Sequence, residues 1–127
     1  MTEPQALIAY ALLVLLTIVW QATGALGQFG ITYLMSARDE GRVATGVSGR
    51  VERAMGNSIT AMVLFAPAVL LIVALDASTP ASRLAAIAFL IARIVYLPAY
   101  AFGIKGLRSL AWTVGFVATV SLYLVAL

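Results

Sequence analysis

Cysteine and histidine are both absent from the chain. Disulfides, thiolate or imidazole metal sites, and every nucleophile or base built on those side chains are excluded with them. If the protein performs thiol or redox chemistry, the reactive atom arrives on a small molecule. Charge is scarce as well: 10% of the 127 residues are charged and 63% are hydrophobic, whereas an ordinary soluble domain carries about 25% charged residues. A soluble protein this short has a large surface for its volume and must cover it with polar groups that this sequence lacks, so lipid is its solvent. The net charge of +3 rests on eight basic residues spread over loops and helix ends. They form no Lys/Arg run interleaved with exposed aromatics, which excludes a nucleic-acid partner and reads as a set of topology determinants.

A spanning helix needs about 20 mostly apolar residues. The charges divide the chain into four such stretches: Glu3 to Arg38, Arg53 to Asp76, Pro80 to about Gly103 with Arg93 inside it, and Ser109 to Leu127. They predict helices over roughly 5–35, 51–75, 80–103 and 108–127. The first stretch exceeds a span and should tilt or extend beyond the bilayer. Met1-Thr-Glu-Pro has no basic n-region and the apolar run is too long for a signal peptide, so the stretch reads as a helix. No internal repeat or low-complexity linker interrupts residues 1–127, which form one membrane domain. The fold class is all-α, an integral membrane four-helix bundle.

Arg38, Arg42, Arg50 and Arg53 flank the first connection and Lys105 and Arg108 the third, whereas the second has only Arg83. Basic residues stay in the cytoplasm, so the first and third connections are expected there and both termini on the non-cytoplasmic side. Ser78-Thr79-Pro80 reads as an N-cap followed by proline at the first helical position. Gly24, Gly27 and Gly30 form a ridge suited to close helix packing. Pro67 and Pro98 lie inside helices, and each removes a donor and favours a bend.

Arg50, Arg53, Asn57 and Thr60 recur at helical spacing and form one stripe; Arg93, Tyr96 and Tyr100 form another. With the two helices antiparallel, Asn57 and Tyr100 are expected at similar shallow depth and Arg93 roughly 10 Å further in. An arginine inside a span costs about 3 kcal/mol unless it reaches water or a partner. Arg53, Arg93 and Arg108 converge on that side with Glu52 as the only acid in reach, so the missing negative charge is assigned to a ligand. The plainer alternatives are snorkelling for Arg50, Arg53 and Arg108, an interfacial belt for Tyr96 and Tyr100, and an interhelical clip for Asn57.

Three stretches resemble the MAPEG family of membrane-associated proteins in eicosanoid and glutathione metabolism. They are Arg50-Val-Glu-Arg53-Ala-Met-Gly-Asn57, Arg93-Ile-Val-Tyr96-Leu-Pro-Ala-Tyr100 and Arg108-Ser-Leu-Ala-Trp-Thr-Val-Gly115. The resemblance implies a homotrimer of four-helix subunits with glutathione between neighbours near the cytoplasmic face. It implies that Arg50, Arg53, Asn57, Arg93, Tyr96 and Tyr100 hold the tripeptide and that Arg108 lies nearest its sulfur as the catalytic residue.

The implied activity is a glutathione-dependent transferase or peroxidase acting on lipophilic electrophiles or peroxides, with glutathione as the thiol substrate. Many family members have an acid three positions after the asparagine, often followed by an aromatic; here Thr60 and Ala61 stand there. Such an acid would pair with the ammonium of glutathione. Its loss leaves open another anionic ligand, or a non-catalytic lipid-binding or assembly subunit of a larger membrane complex. A transporter is disfavoured because the outer half of the spans lacks ionisable residues. The short chain without a targeting segment points to a bacterial inner membrane.

Overall fold

The computed structural model describes residues 1–127 and contains helices without strands. Helix α1 spans Glu3–Phe29, α2 Ile31–Met35, α3 Gly46–Ala74, α4 Pro80–Ala101 and α5 Leu107–Ala126. All but α2 are long and apolar enough to cross a membrane. Thr2 caps α1 and Thr79 caps α4, each in a capping box with proline in the first turn, which satisfies amide donors that have no intrahelical partner. The apolar run predicted as one helix to residue 35 breaks at Gly30, whose φ of 81° and ψ of 157° lie where only glycine is unstrained. Helix α3 begins at Gly46 rather than at 51 and continues past Pro67 to 29 residues.

The two central helices are α3 and α4, which pack against each other and against both α1 and α5, while α1 and α5 do not meet. Helix α4 is the more enclosed: 56% of its most apolar stretch is buried, against 22–28% in the other spans. Tyr10, Phe65 and Phe89 are fully enclosed at the centre. Phe65 and Phe89 stack nearly parallel with ring centroids 3.8 Å apart, and Tyr10 meets Phe89 edge-on at 4.8 Å, the latter an arrangement aromatic quadrupoles favour. Outward faces carry Leu12, Leu16, Val63, Leu84, Ile91 and Leu124, as lipid contact requires.

The glycine ridge of α1 reduces to one close approach. A methyl on Gly24 would stand 2.5 Å from Ser48 Oγ, whereas Gly27 and Gly30 have no neighbour within 4 Å. At the end of the bundle holding the N-terminus, the enclosed Glu3 carboxylate accepts hydrogen bonds from Ser82 Oγ and from Ser78 Oγ, the latter at 2.8 Å, tying α1 to the start of α4. At the other end, called here the basic end, Gln28 and Thr45 exchange two hydrogen bonds and Arg42 lies over the Tyr33 ring. These contacts hold the connection before α3 in place.

Candidate functional site

Two long-range hydrogen bonds fix how α3 lies against α4. Arg50 Nε donates to the Ala101 carbonyl at 2.7 Å, and eight residues further along each helix Arg93 NH2 donates to Ser58 Oγ at 3.1 Å. Asn57 therefore lies level with Arg93, about 10 Å deeper than Arg50 by helical rise. The expectation that Asn57 shares the depth of Tyr100 is corrected by that register. The reason is the early start of α3, which puts Arg50 where the sequence reading placed Asn57.

Arg93 is 3% exposed. Its guanidinium lies 4.1 Å above the Tyr96 ring and 6.0 Å from that of Tyr10, contacts that stabilise a desolvated cation. Tyr10 is held in turn by its hydroxyl, which donates to the Ser58 carbonyl at 2.7 Å. Ser58 thus receives one bond on its backbone and one on its side chain, from two different helices. Arg93 Nε and Asn57 Oδ1 are buried without a partner. Gly115 of α5 lies against the arginine stem, where a methyl would meet Arg93 Cδ at 3.6 Å, an ordinary contact distance.

A cavity of about 300 Å³ lies between α3, α4 and α5. Asn57, Thr60 and Arg93 supply polar groups, and Leu64, Phe89, Phe116 and Val120 form much of the apolar wall. Nearer the basic end, a second cavity of about 370 Å³ is lined by Tyr96, Tyr100, Arg108, Ser109, Trp112 and Thr113. Trp112 borders both cavities and stacks on Phe116 at 5.3 Å. Arg108 lies 4.7 Å over the Tyr100 ring, and Tyr100 meets Tyr96 edge-on at 5.7 Å. A pair of tyrosines packed edge-on, Tyr96 and Tyr100, thus lies between the cations Arg93 and Arg108.

The residues singled out from sequence divide among three places. Asn57 and Arg93 belong to the deeper cavity and Tyr96, Tyr100 and Arg108 to the shallower one. Arg50 is engaged with Ala101 outside both, and Arg53 is exposed and lines neither. Thr60 lies at the deeper cavity with its hydroxyl donating to the Gly56 carbonyl at 3.1 Å. Tyr10 and Ser58 were not expected at the site, and Trp112 and Gly115 were expected only as members of the stretch Arg108–Gly115, without a role of their own. No carboxylate lines either cavity, and the single ion pair of the chain joins Arg42 to Glu40.

A family model described as the MAPEG family matches residues 5–127, essentially the whole chain. No curated protein and no solved structure matches it.

Proposed function

The chain belongs to the MAPEG family, and from that premise we propose that this integral membrane protein presents the thiolate of glutathione, bound at the basic end, to a lipophilic electrophile or peroxide from the bilayer. The observation that carries the reading is the meeting of two unlike cavities at Trp112, one polar with Arg108 and one largely apolar within the bundle. A reaction between a water-soluble thiol and a membrane-dissolved partner needs such a pair of compartments side by side. With neither cysteine nor histidine in the chain, the nucleophile belongs to the thiol substrate.

Arg108 is the residue placed to act on that sulfur. A free thiol has a pKa near 8.5, and each unit by which a guanidinium lowers it represents about 1.4 kcal/mol of thiolate stabilisation. The thiolate then attacks carbon and expels a leaving group with its electron pair, or attacks a peroxide oxygen and breaks the O–O bond, leaving a sulfenic acid and an alkoxide that takes up a proton; a second glutathione converts the sulfenic acid to disulfide and water. Tyr96, Tyr100, Ser109 and Thr113 offer hydroxyls to the rest of the ligand, and Arg53 on the outer face of α3 is available to a molecule bound between neighbouring subunits. The fit is incomplete at one point: no acid is present for the ammonium of glutathione. That absence, at Thr60, favours the second reading, a non-catalytic subunit that binds lipid or assembles into a larger membrane complex.

A homotrimer with the basic end in the cytoplasm of a bacterial inner membrane completes the proposal. The test is glutathione binding followed by thiolate absorbance. Wild type is expected to gain thermal stability with glutathione and to show the thiolate band at neutral pH. Arg108→Ala should raise the thiol pKa and slow conjugation more than it weakens binding. If wild type shows neither the shift nor the band, the non-catalytic reading replaces the enzyme.

A further inference from the structure

The last carbonyls of a helix have no partner within it, and at the end of α4 the chain itself answers all but one. Phe102 N–H donates to the Pro98 carbonyl at 3.0 Å, Gly103 N–H to that of Tyr100 at 3.1 Å and Ile104 N–H to that of Ala99 at 2.8 Å. With Gly103 at a φ of 68°, the chain folds back on the last turn as helices often do at a glycine. The carbonyl left over belongs to Ala101, a fully buried residue. A buried carbonyl without a donor is costly, and Arg50 of α3 supplies the donor, Nε at 2.7 Å. The bond is charge-assisted, and the negative end of the helix dipole favours a cation at that place.

The position of Arg108 follows from this end of α4. Beyond Ala101 the short turn Phe102–Gly106 leads into α5. The turn is tied at both sides: Ile104 gives its amide to Ala99, and its carbonyl accepts from the Arg108 amide at 3.4 Å. No side chain caps α5, and Arg108 stands in its first turn, where the helix dipole disfavours a cation. Local preference therefore does not hold Arg108 in place; the turn does, together with the Tyr100 ring 4.7 Å away. Tyr100 itself immediately precedes Ala101. Arg50 is half-buried and lines neither cavity. We infer that Arg50 is a positioning residue: by holding the last carbonyl of α4 it sets where Tyr100, the turn and Arg108 stand, and it leaves the ligand to others. The inference rests on the proposed function only in taking the glutathione thiolate as the group that Arg108 serves.

The test compares the whole protein with Arg50→Met, Arg50→Lys and Arg50→Gln in nanodiscs, reading glutathione Kd, thiolate absorbance against pH, and hydrogen exchange of the amides of residues 102–108. Arg50→Met keeps the stem and removes the donor. It should raise the pH midpoint of the thiolate band by about one unit, a tenfold loss of thiolate at fixed pH, and speed exchange at Gly103 and Ile104 about tenfold or more. Glutathione Kd should change by less than about threefold. Arg50→Lys should restore midpoint and exchange, because one charged donor suffices and the lysine ammonium reaches slightly beyond the position of Nε. Glutathione binding weakened about tenfold or more with the midpoint unchanged makes Arg50 a ligand residue and overturns the inference. So does a lysine variant that restores nothing, or a methionine variant with wild-type midpoint and exchange. If Arg50→Met does not fold, Arg50→Gln decides, since its amide nitrogen keeps the bond without the charge: near-normal midpoint and Kd support the inference, and lost glutathione binding overturns it. If wild type shows no thiolate band, the thiol reading fails separately. Exchange alone then decides the anchor: acceleration in Arg50→Met reversed in Arg50→Lys supports it, and equal exchange in all variants overturns it.

Discussion

A guanidinium inside a membrane bundle is tolerated only when its neighbours share the cost of desolvating it, and Arg93 has few neighbours to do so. Ser58 is its only hydrogen-bond acceptor, so Ser58→Ala strands the charge, whereas Arg93→Leu removes it together with the need for a partner. Thermal unfolding in mild detergent should rank the two accordingly, with Ser58→Ala lower by about 1–2 kcal/mol and Arg93→Leu near wild type. The reverse order would show that the aromatic faces of Tyr96 and Tyr10, not Ser58, hold the arginine. Gly115 offers a second measurement at this scale. A methyl there meets Arg93 Cδ, Phe89 and Ala92 at 3.6–3.9 Å, ordinary contact distance, so Gly115→Ala should be neutral or stabilise by up to about 1 kcal/mol. Gly115→Leu has no such room and should lower the melting temperature.

Helices meet in this bundle through small residues and a few polar ties. Glu3 is the clearest tie, because it receives both Ser78 and Ser82 at the point where α1 reaches the first turn of α4. Glu3→Ala leaves two hydroxyls without their acceptor and should cost about 1–3 kcal/mol. Glu3→Gln keeps a carbonyl oxygen there and should retain most of that stability. Equal losses in the two variants would mean that the charge, acting with Arg83 nearby, matters more than the hydrogen bonds. At the other end of the element scale, the length of α3 explains the site. Its start at Gly46 displaces the polar stripe inward, so Asn57 joins Arg93 instead of Tyr100. Nothing in the residues 46–50 marks that start strongly, since Thr45 makes no side-chain capping bond.

The whole molecule is a bundle whose two central helices leave polar groups on an outer face. Arg53 on α3 is exposed among residues otherwise suited to lipid, whereas the hydroxyls of Thr60 and Thr113 bond to carbonyls of their own helices. Lipid cannot satisfy the Arg53 guanidinium, so a second and third copy of the chain are expected to cover that face. Native mass spectrometry in mild detergent should release three copies, and a persistent monomer would remove the shared thiol site. The ends of the bundle also differ. Arg38, Arg42, Arg50, Arg53, Lys105 and Arg108 gather at one end, with Arg83 alone at the other. A reporter enzyme active only outside the cytoplasm, fused after Leu127, should therefore be active. Silence from a well-expressed fusion would invert the orientation.

Composition and charge spacing alone determined that this is a four-helix membrane protein without cysteine or histidine, and three motif stretches carried its resemblance to the MAPEG family. Apolar run length and the scarcity of charge act locally, and they are legible wherever the helices finally pack. The polar members of the site were visible for the same reason: Asn57, Arg93, Tyr96, Tyr100 and Arg108 stand out within apolar runs. What the sequence left undecided was which of them meet. Tyr10 and Ser58 look like ordinary packing residues until α1, α3 and α4 are in register, and Gly115 gains meaning only when Arg93 lies against it. The division into a deep cavity with Arg93 and a shallow one with Arg108 was decided by tertiary structure. It depends on how far one helix slides along another, and a slide of about seven residues moves a side chain by about 10 Å without changing any helical spacing.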